Sequence, residues 1–190
     1  MQTFIPFYFY SNCAKALSNE RLYKQRLECF QIHRAAKKGG AWANHPATKM
    51  WQVNETLTPT FYRYWQEICI ECDFRGIKDP ANMKGIALWG ETVSLTSPWW
   101  VGEDAYYAVA YTHAVNLWKK GPFYYAKLFR EEALPHIQFQ EYLWPCMDGS
   151  RKLWRFVDTK HKKKEFLSTS SAEVQTLITL HMTQVLEPYL

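Results

Sequence analysis

The sequence predicts a mainly α-helical chain, and two observations carry the prediction. Apolar residues recur at three- and four-residue spacing through three long stretches, and capping residues, glycine or proline bound each of them. A hydrophobic share of 47% with 17% aromatic residues, over 190 positions, supplies a packed core and excludes a disordered chain. Neither an internal repeat nor a low-complexity segment interrupts it.

Taken in order, Ser18 or Asn19 can cap a long first helix that runs to about Lys38, where Gly39-Gly40 stops it. A short helix is predicted over 46–52, entered through Asn44 or His45. Thr58 followed by Pro59 starts the next, because proline at the first helical position gives up no N–H that the helix would use. Phe61, Trp65, Ile68 and Cys72 keep the apolar spacing there, and Arg75-Gly76 ends it. Residues 77–102 hold several Gly and Pro and predict a loop, with at most a short strand near 86–89. A third long helix over 103–120 carries acids at its start and lysines at its end, in line with the helix dipole, and Gly121-Pro122 breaks it. A further turn or two is expected over 123–132 and irregular chain over 133–150. Residues 152–156 read as a strand followed by a lysine run. An amphipathic helix over 171–186 turns Val174, Leu177, Ile178, Val185 and Leu186 toward a partner surface. The expected organisation is a compact helical domain over 1–150 with a basic stretch and a C-terminal helix appended over 151–190.

Net charge is +5, and the cations are unevenly placed: in 15–38, at Lys119 and Lys120, and at Lys160 and Lys162 to Lys164. Glu67, Glu71 and Asp73 gather elsewhere, so a one-sided positive surface suited to a polyanion is expected, although a lysine run is also an ordinary solvated face. Five cysteines, an odd number, and an apolar opening without a basic leader or cleavage site predict reduced thiols in an intracellular protein. Cys69 and Cys72 lie mid-helix without a second such pair, so they read as buried thiols; no metal and no cofactor is called for. Apolar runs stay below membrane-spanning length, and no membrane partner is expected.

Residues 17–33 are the most telling stretch. From residue 15 to 38 there are seven Lys or Arg and only two acids, Glu20 and Glu28. At 3.6 residues per turn Arg21, Lys24, Gln25, Glu28 and Gln31 share one face. Leu22, Cys29 and Ile32, flanked by Tyr23, Leu27 and Phe30, form a broad apolar side. Glu28 is then either the partner of Lys24 in an i,i+4 pair or a catalytic carboxylate set against a phosphate-binding surface. The pattern alone leaves both open.

A series of blocks decides between them. It opens with Met-Gln-Thr-Phe-Ile-Pro at 1–6 and Leu-Ser-Asn-Glu-Arg-Leu-Tyr-Lys-Gln-Arg-Leu-Glu at 17–28. Trp42, Asn44-His45-Pro46-Ala47 and Lys49-Met50-Trp51 follow, then Glu-Ile-Cys-Ile-Glu-Cys-Asp-Phe-Arg-Gly at 67–76. Pro98-Trp99, Thr112-His113, Asn116-Leu117, Lys119-Lys120-Gly121-Pro122 and Tyr124-Tyr125 complete it. In this order and spacing the blocks resemble the pyrimidine dimer DNA glycosylase family over residues 1–145, and leave the C-terminal part without a counterpart.

The resemblance implies a compact fold with three principal helices around a free N-terminus. It implies base excision followed by strand cleavage at the abasic sugar, with the chain's own α-amine as Schiff-base nucleophile and a first-helix glutamate assisting. Glu28 falls on that glutamate. Gln2 is too bulky for the usual trimming of an initiator Met, so the expected nucleophile is the amine of Met1; Thr3 could serve only if two residues were lost. Leu27 stands where the family's phage member has an arginine, with Arg26 one place earlier. An α-amine, with a reference pKa of about 7.7–8.0, keeps a usable neutral fraction at physiological pH.

The implied partner is duplex DNA carrying a lesion or modified pyrimidine, bound by a monomer. Arg21, Lys24, Arg26, Arg34, Lys49, Lys119 and Lys120 are the expected phosphate contacts. His45 is either a DNA contact or a helix cap, and His113 either a DNA contact or a packing residue. Trp42, Trp51, Trp99 and Trp100 read as core more readily than as wedges between bases. Two other functions fit the same residues. One is a non-catalytic DNA- or RNA-binding protein that keeps the fold, which Met1-Gln2 favours; the other is an interaction module whose 151–190 segment docks a partner.

Overall fold

A computed structural model describes residues 2–78, 97–102, 104–137, 141–148, 151–158, 163–168 and 171–186. Met1, the strand expected near 86–89 and the lysines at 160 and 162 lie outside the described residues. The chain is mainly α-helical, as expected, and divides into two compact units: Met1–Thr3 with Phe9–Pro98, and Phe4–Tyr8 with Trp99–Leu190.

The first unit begins with a short helix the apolar opening did not announce, α1 (Tyr10–Ala16), whose N-terminus has no side-chain cap. The long helix α2 (Asn19–Lys38) follows, with the Ser18 hydroxyl accepting from the Arg21 N–H and Gly39 leaving the helix at φ 73°. The short helix α3 (Pro46–Lys49) stops earlier than its predicted end, because a hairpin takes over the chain. Strands β1 (Gln52–Val53) and β2 (Thr56–Leu57) pair antiparallel, and Asn54 and Glu55 both take positive φ, as a two-residue primed turn requires. Helix α4 (Pro59–Phe74) starts at Thr58, whose hydroxyl donates to the Trp51 carbonyl at 3.0 Å.

An aromatic core holds this unit. Trp51 stacks on Tyr64 with ring centroids 5.3 Å apart, and Phe61 lies 5.7 Å from Trp51 and 5.9 Å from Trp65. Leu22, Cys29 and Ile32 of α2 are buried as the apolar spacing predicts, together with Ile68 and Cys72 of α4. Tyr23, placed on that apolar side by the sequence, is exposed instead. Arg75 latches the end of α4 to the α1–α2 junction by donating to the carbonyls of Leu17 and Lys15 at 2.7 and 2.9 Å.

In the second unit α5 (Ala105–Lys120) is buried almost all round, from Ala108 to Leu117. The short helix α6 (Pro122–Tyr125) and two 3-10 turns follow. Strands β3 (Leu143–Asp148), β4 (Arg151–Asp158) and β5 (Lys163–Ser168) form an antiparallel sheet in the order β3-β4-β5. The expected strand at 152–156 lies inside β4, whereas β3 occupies chain expected to be irregular. Pro145 hid it: proline argues against a central strand, but β3 is an edge strand, where a missing N–H is tolerated.

The C-terminal helix forms as α7 (Ala172–Gln184), capped by Ser171. It is stitched to this unit at its far end, where Tyr111 donates to the Gln184 side chain and the N–H groups of Arg130 and Leu186 donate to Gln184 and Leu128 carbonyls, each at 2.8 Å.

Candidate active site

Gln25 and Glu28 sit one turn apart on α2, so their side chains share a strip of its surface. Gln25 is only 1% exposed although it belongs to the predicted polar face. Its amide Nε2 donates to the main-chain carbonyl of Gln2 at 2.9 Å, which fixes the second residue of the chain against this turn. Thr3 is fully buried; its hydroxyl donates toward Met50 Sδ at 3.6 Å and accepts from the Trp51 indole N–H at 3.3 Å. Glu28 is 9% exposed, a carboxylate set in the wall of the unit rather than a solvated surface charge. Burial pushes the adjacent Cys29 thiol well above its ordinary range, and the Glu28 charge raises it further.

Gln2 tied one turn from a buried glutamate, on a helix with cations on its outer face, lies within the stretch that matches a known family. Residues 1–84 match the pyrimidine dimer DNA glycosylase family. The glycosylase match takes in Gln2 and Thr3, α1 to α4 and the Gln25–Glu28 turn, and ends before α5. It is shorter than the 1–145 span over which the sequence blocks resemble the family. No curated protein and no solved structure gave a match. Among the described residues no helix is long and apolar enough to cross a membrane.

The cations expected to serve a glycosylase's DNA surface fall into distinct places. Lys24 and Arg34 are exposed on α2, and Arg21 is half-buried. Arg26 is 3% exposed: its guanidinium donates to Asp73 at 2.9 Å and to the Ile77 carbonyl at 3.1 Å, joining α2 to α4 and the chain beyond it. Arg26, expected among the phosphate contacts, is therefore a buried structural cation. Its angular position, one turn from both Leu22 and Cys29, is the signal for burial that counting charges passes over. His45 caps α3, its Nδ1 accepting from the Ala47 N–H at 3.1 Å. Lys49 is half-buried, 4.0 Å from Glu55. Trp51 and Trp100 are core, while Trp42 stands exposed, edge-on to His45.

In the second unit Lys119 and Lys120 are exposed at the end of α5. His113, expected at the DNA surface, is fully buried and accepts the Ile5 N–H on Nδ1 at 3.2 Å. Burial drops its pKa to about 3, so it is neutral. Sequence reasoning places Gln25 on the polar face and Asp73 among clustered acids without a role for either, and passes over Tyr106 and His181. None carries a local signal, because each matters through a partner far along the chain.

Proposed function

We propose that this protein is a DNA glycosylase with abasic-site lyase activity on damaged or modified pyrimidines in duplex DNA. The α-amine of Met1 is the nucleophile and Glu28 the carboxylate. The supporting observation is the Gln25–Gln2 hydrogen bond one turn from Glu28, inside the span that matches the family.

In this reading the neutral amine attacks C1′ of the damaged nucleotide. The glycosidic bond breaks, its electron pair leaves with the base, and the base takes up a proton. The amine nitrogen and C1′ are then joined as an imine on an opened sugar. Glu28 supports the positive charge that builds at C1′ and removes a C2′ proton; the 3′ phosphate leaves by β-elimination, and water hydrolyses the imine to restore the amine. Lesions weaken stacking and pairing, which makes exposing the sugar cheaper. Arg21, Lys24, Arg34, Lys49, Lys119 and Lys120 hold phosphates, while Arg26, His45 and His113 brace the scaffold.

The test is a panel of lesion-bearing and abasic duplexes scored for nicking, with borohydride added to trap the imine and intact-mass measurement to define the first residue. A covalent adduct that disappears when the α-amine is blocked supports the reading; no adduct, or one indifferent to blocking, defeats it. Glu28→Gln is expected to cut turnover by about 10²–10⁴-fold with DNA affinity retained. Met1-Gln2, which leaves a long side chain on the nucleophilic residue, favours a second reading: a DNA- or RNA-binding protein without the chemistry. Lesion-indifferent, salt-steep binding with no scission selects it.

A further inference from the structure

Residues 2–6 adopt no regular secondary structure, yet Thr3, Phe4, Ile5, Pro6 and Phe7 are all buried. A buried extended segment without a sheet partner must have its peptide groups met by side chains, or each unmet group destabilises the fold. Pro6 has no N–H and so removes one donor from the requirement. Three side chains meet three successive residues. His113 Nδ1 accepts from Ile5 N–H at 3.2 Å, His181 Nε2 bonds the Pro6 carbonyl at 3.0 Å, and the Tyr106 hydroxyl donates to the Phe7 carbonyl at 2.6 Å. A carbonyl only accepts, so His181 carries its proton on Nε2; an amide N–H only donates, so His113 has a bare Nδ1. Each ring is therefore committed to one tautomer by the main chain it holds.

His181 comes from α7, far outside the span that matches the family. The inner side of α7 is otherwise apolar, with Val174, Leu177 and Ile178 buried. A leucine at 181 would pack as well there without the cost of burying an imidazole. Burial lowers the His181 pKa to about 4 even with the Pro6 carbonyl favouring its charged form. The chemistry that offsets this cost is the bond to Pro6.

We infer that α7, through His181 as a positioning residue, holds the Phe4–Phe7 segment, and that this hold limits the motion of the residues covalently joined ahead of it. This rests on the glycosylase reading for its functional meaning, but the holding itself is independent of it. The segment is contiguous with Thr3 and Gln2, so slack in residues 4–7 adds to the load on the Thr3 and Gln2 bonds that anchor the residues ahead of it. A nucleophile mis-set by a fraction of an ångström loses rate without losing substrate.

The test compares full-length His181→Leu with His181→Gln, whose side-chain amide keeps an N–H where Nε2 stood. Three quantities are read: folded fraction by near-UV circular dichroism, hydrogen–deuterium exchange of the peptide covering residues 2–9, and the single-turnover rate of borohydride-trapped adduct on an abasic duplex with its Kd. The expected result for His181→Leu is a folded protein with unchanged Kd. Its exchange at residues 5 and 7 should be faster, and its trapping rate slower, by about tenfold, the effect of one hydrogen bond of ordinary net strength. His181→Gln restores both. A trapping rate equal to wild type in folded His181→Leu overturns the inference, as does a loss that follows the folded fraction and is no better in His181→Gln. Wild-type protein that yields no adduct defeats the glycosylase reading alone; the exchange comparison then still decides whether His181 holds the segment.

Discussion

The side-chain amide of Gln25 holds the carbonyl of Gln2 at 2.9 Å, which ties the second residue of the chain to the helical turn that carries Glu28. A helix is stiff over one turn, so fixing a residue at position 25 fixes its relation to position 28. Gln2 and the Glu28 carboxylate are thereby referred to one rigid element rather than to two loops.

Gln25→Leu keeps the volume and removes the bond. The expected cost is about 1–3 kcal/mol of stability, since the Gln2 carbonyl loses its donor. The trapped-adduct rate should fall more than DNA affinity does. Urea unfolding and single-turnover trapping measure the two, and an unchanged rate in folded protein contradicts the tether's role.

Arg26 and Asp73 should respond unequally although they form one ion pair. The Arg26 side chain is 4% exposed and that of Asp73 71%. Asp73→Asn leaves Arg26 its bond to Ile77 and costs at most about 1 kcal/mol, as for other exposed partners. Arg26→Ala opens a buried space and strands the Ile77 carbonyl, with an expected loss of about 2–3 kcal/mol. Equal losses in denaturant titrations would contradict this picture.

Salt dependence separates surface cations from buried ones. Lys24→Ala and Arg34→Ala should each reduce the slope of log K against log salt on duplex DNA by about 0.9. Arg26→Met should leave that slope unchanged, because a guanidinium bonded to Asp73 and Ile77 releases no counterion from DNA.

Acid should unfold the protein through its buried histidines. Burial lowers His113 to about 3 and His181 to about 4, both below the ordinary 6.5. Between those values and 6.5 the unfolded chain binds more protons than the folded one, so stability rises with pH there. Each contribution is complete above pH 6.5 and is lost as pH falls, toward about 4 for His181 and about 3 for His113, at no more than about 1 kcal/mol per pH unit for each ring. Urea midpoints between pH 7 and 4 measure it, and His181→Gln should flatten the slope.

Much of the fold was legible because its signals are local. Ser18 before α2, Gly39 after it, Thr58-Pro59 before α4 and Gly121-Pro122 after α5 all act on the neighbouring turn, so helix boundaries follow from a few residues each. Glu28 stood out for the same reason, as a lone acid on the polar face of a basic helix. Shorter elements, α1 and the edge strand β3, were not legible: the first lacks a cap, and Pro145 disguises the second.

Local pattern determined where the helices run and which residue type carries the acid. It could not determine what each polar side chain meets. Arg26 finds Asp73 47 residues away, His113 finds Ile5 108 residues away and His181 finds Pro6 175 residues away. Whether a cation reaches a phosphate or a buried carbonyl depends on which distant backbone has been left without a partner, and only the folded chain brings that backbone to it.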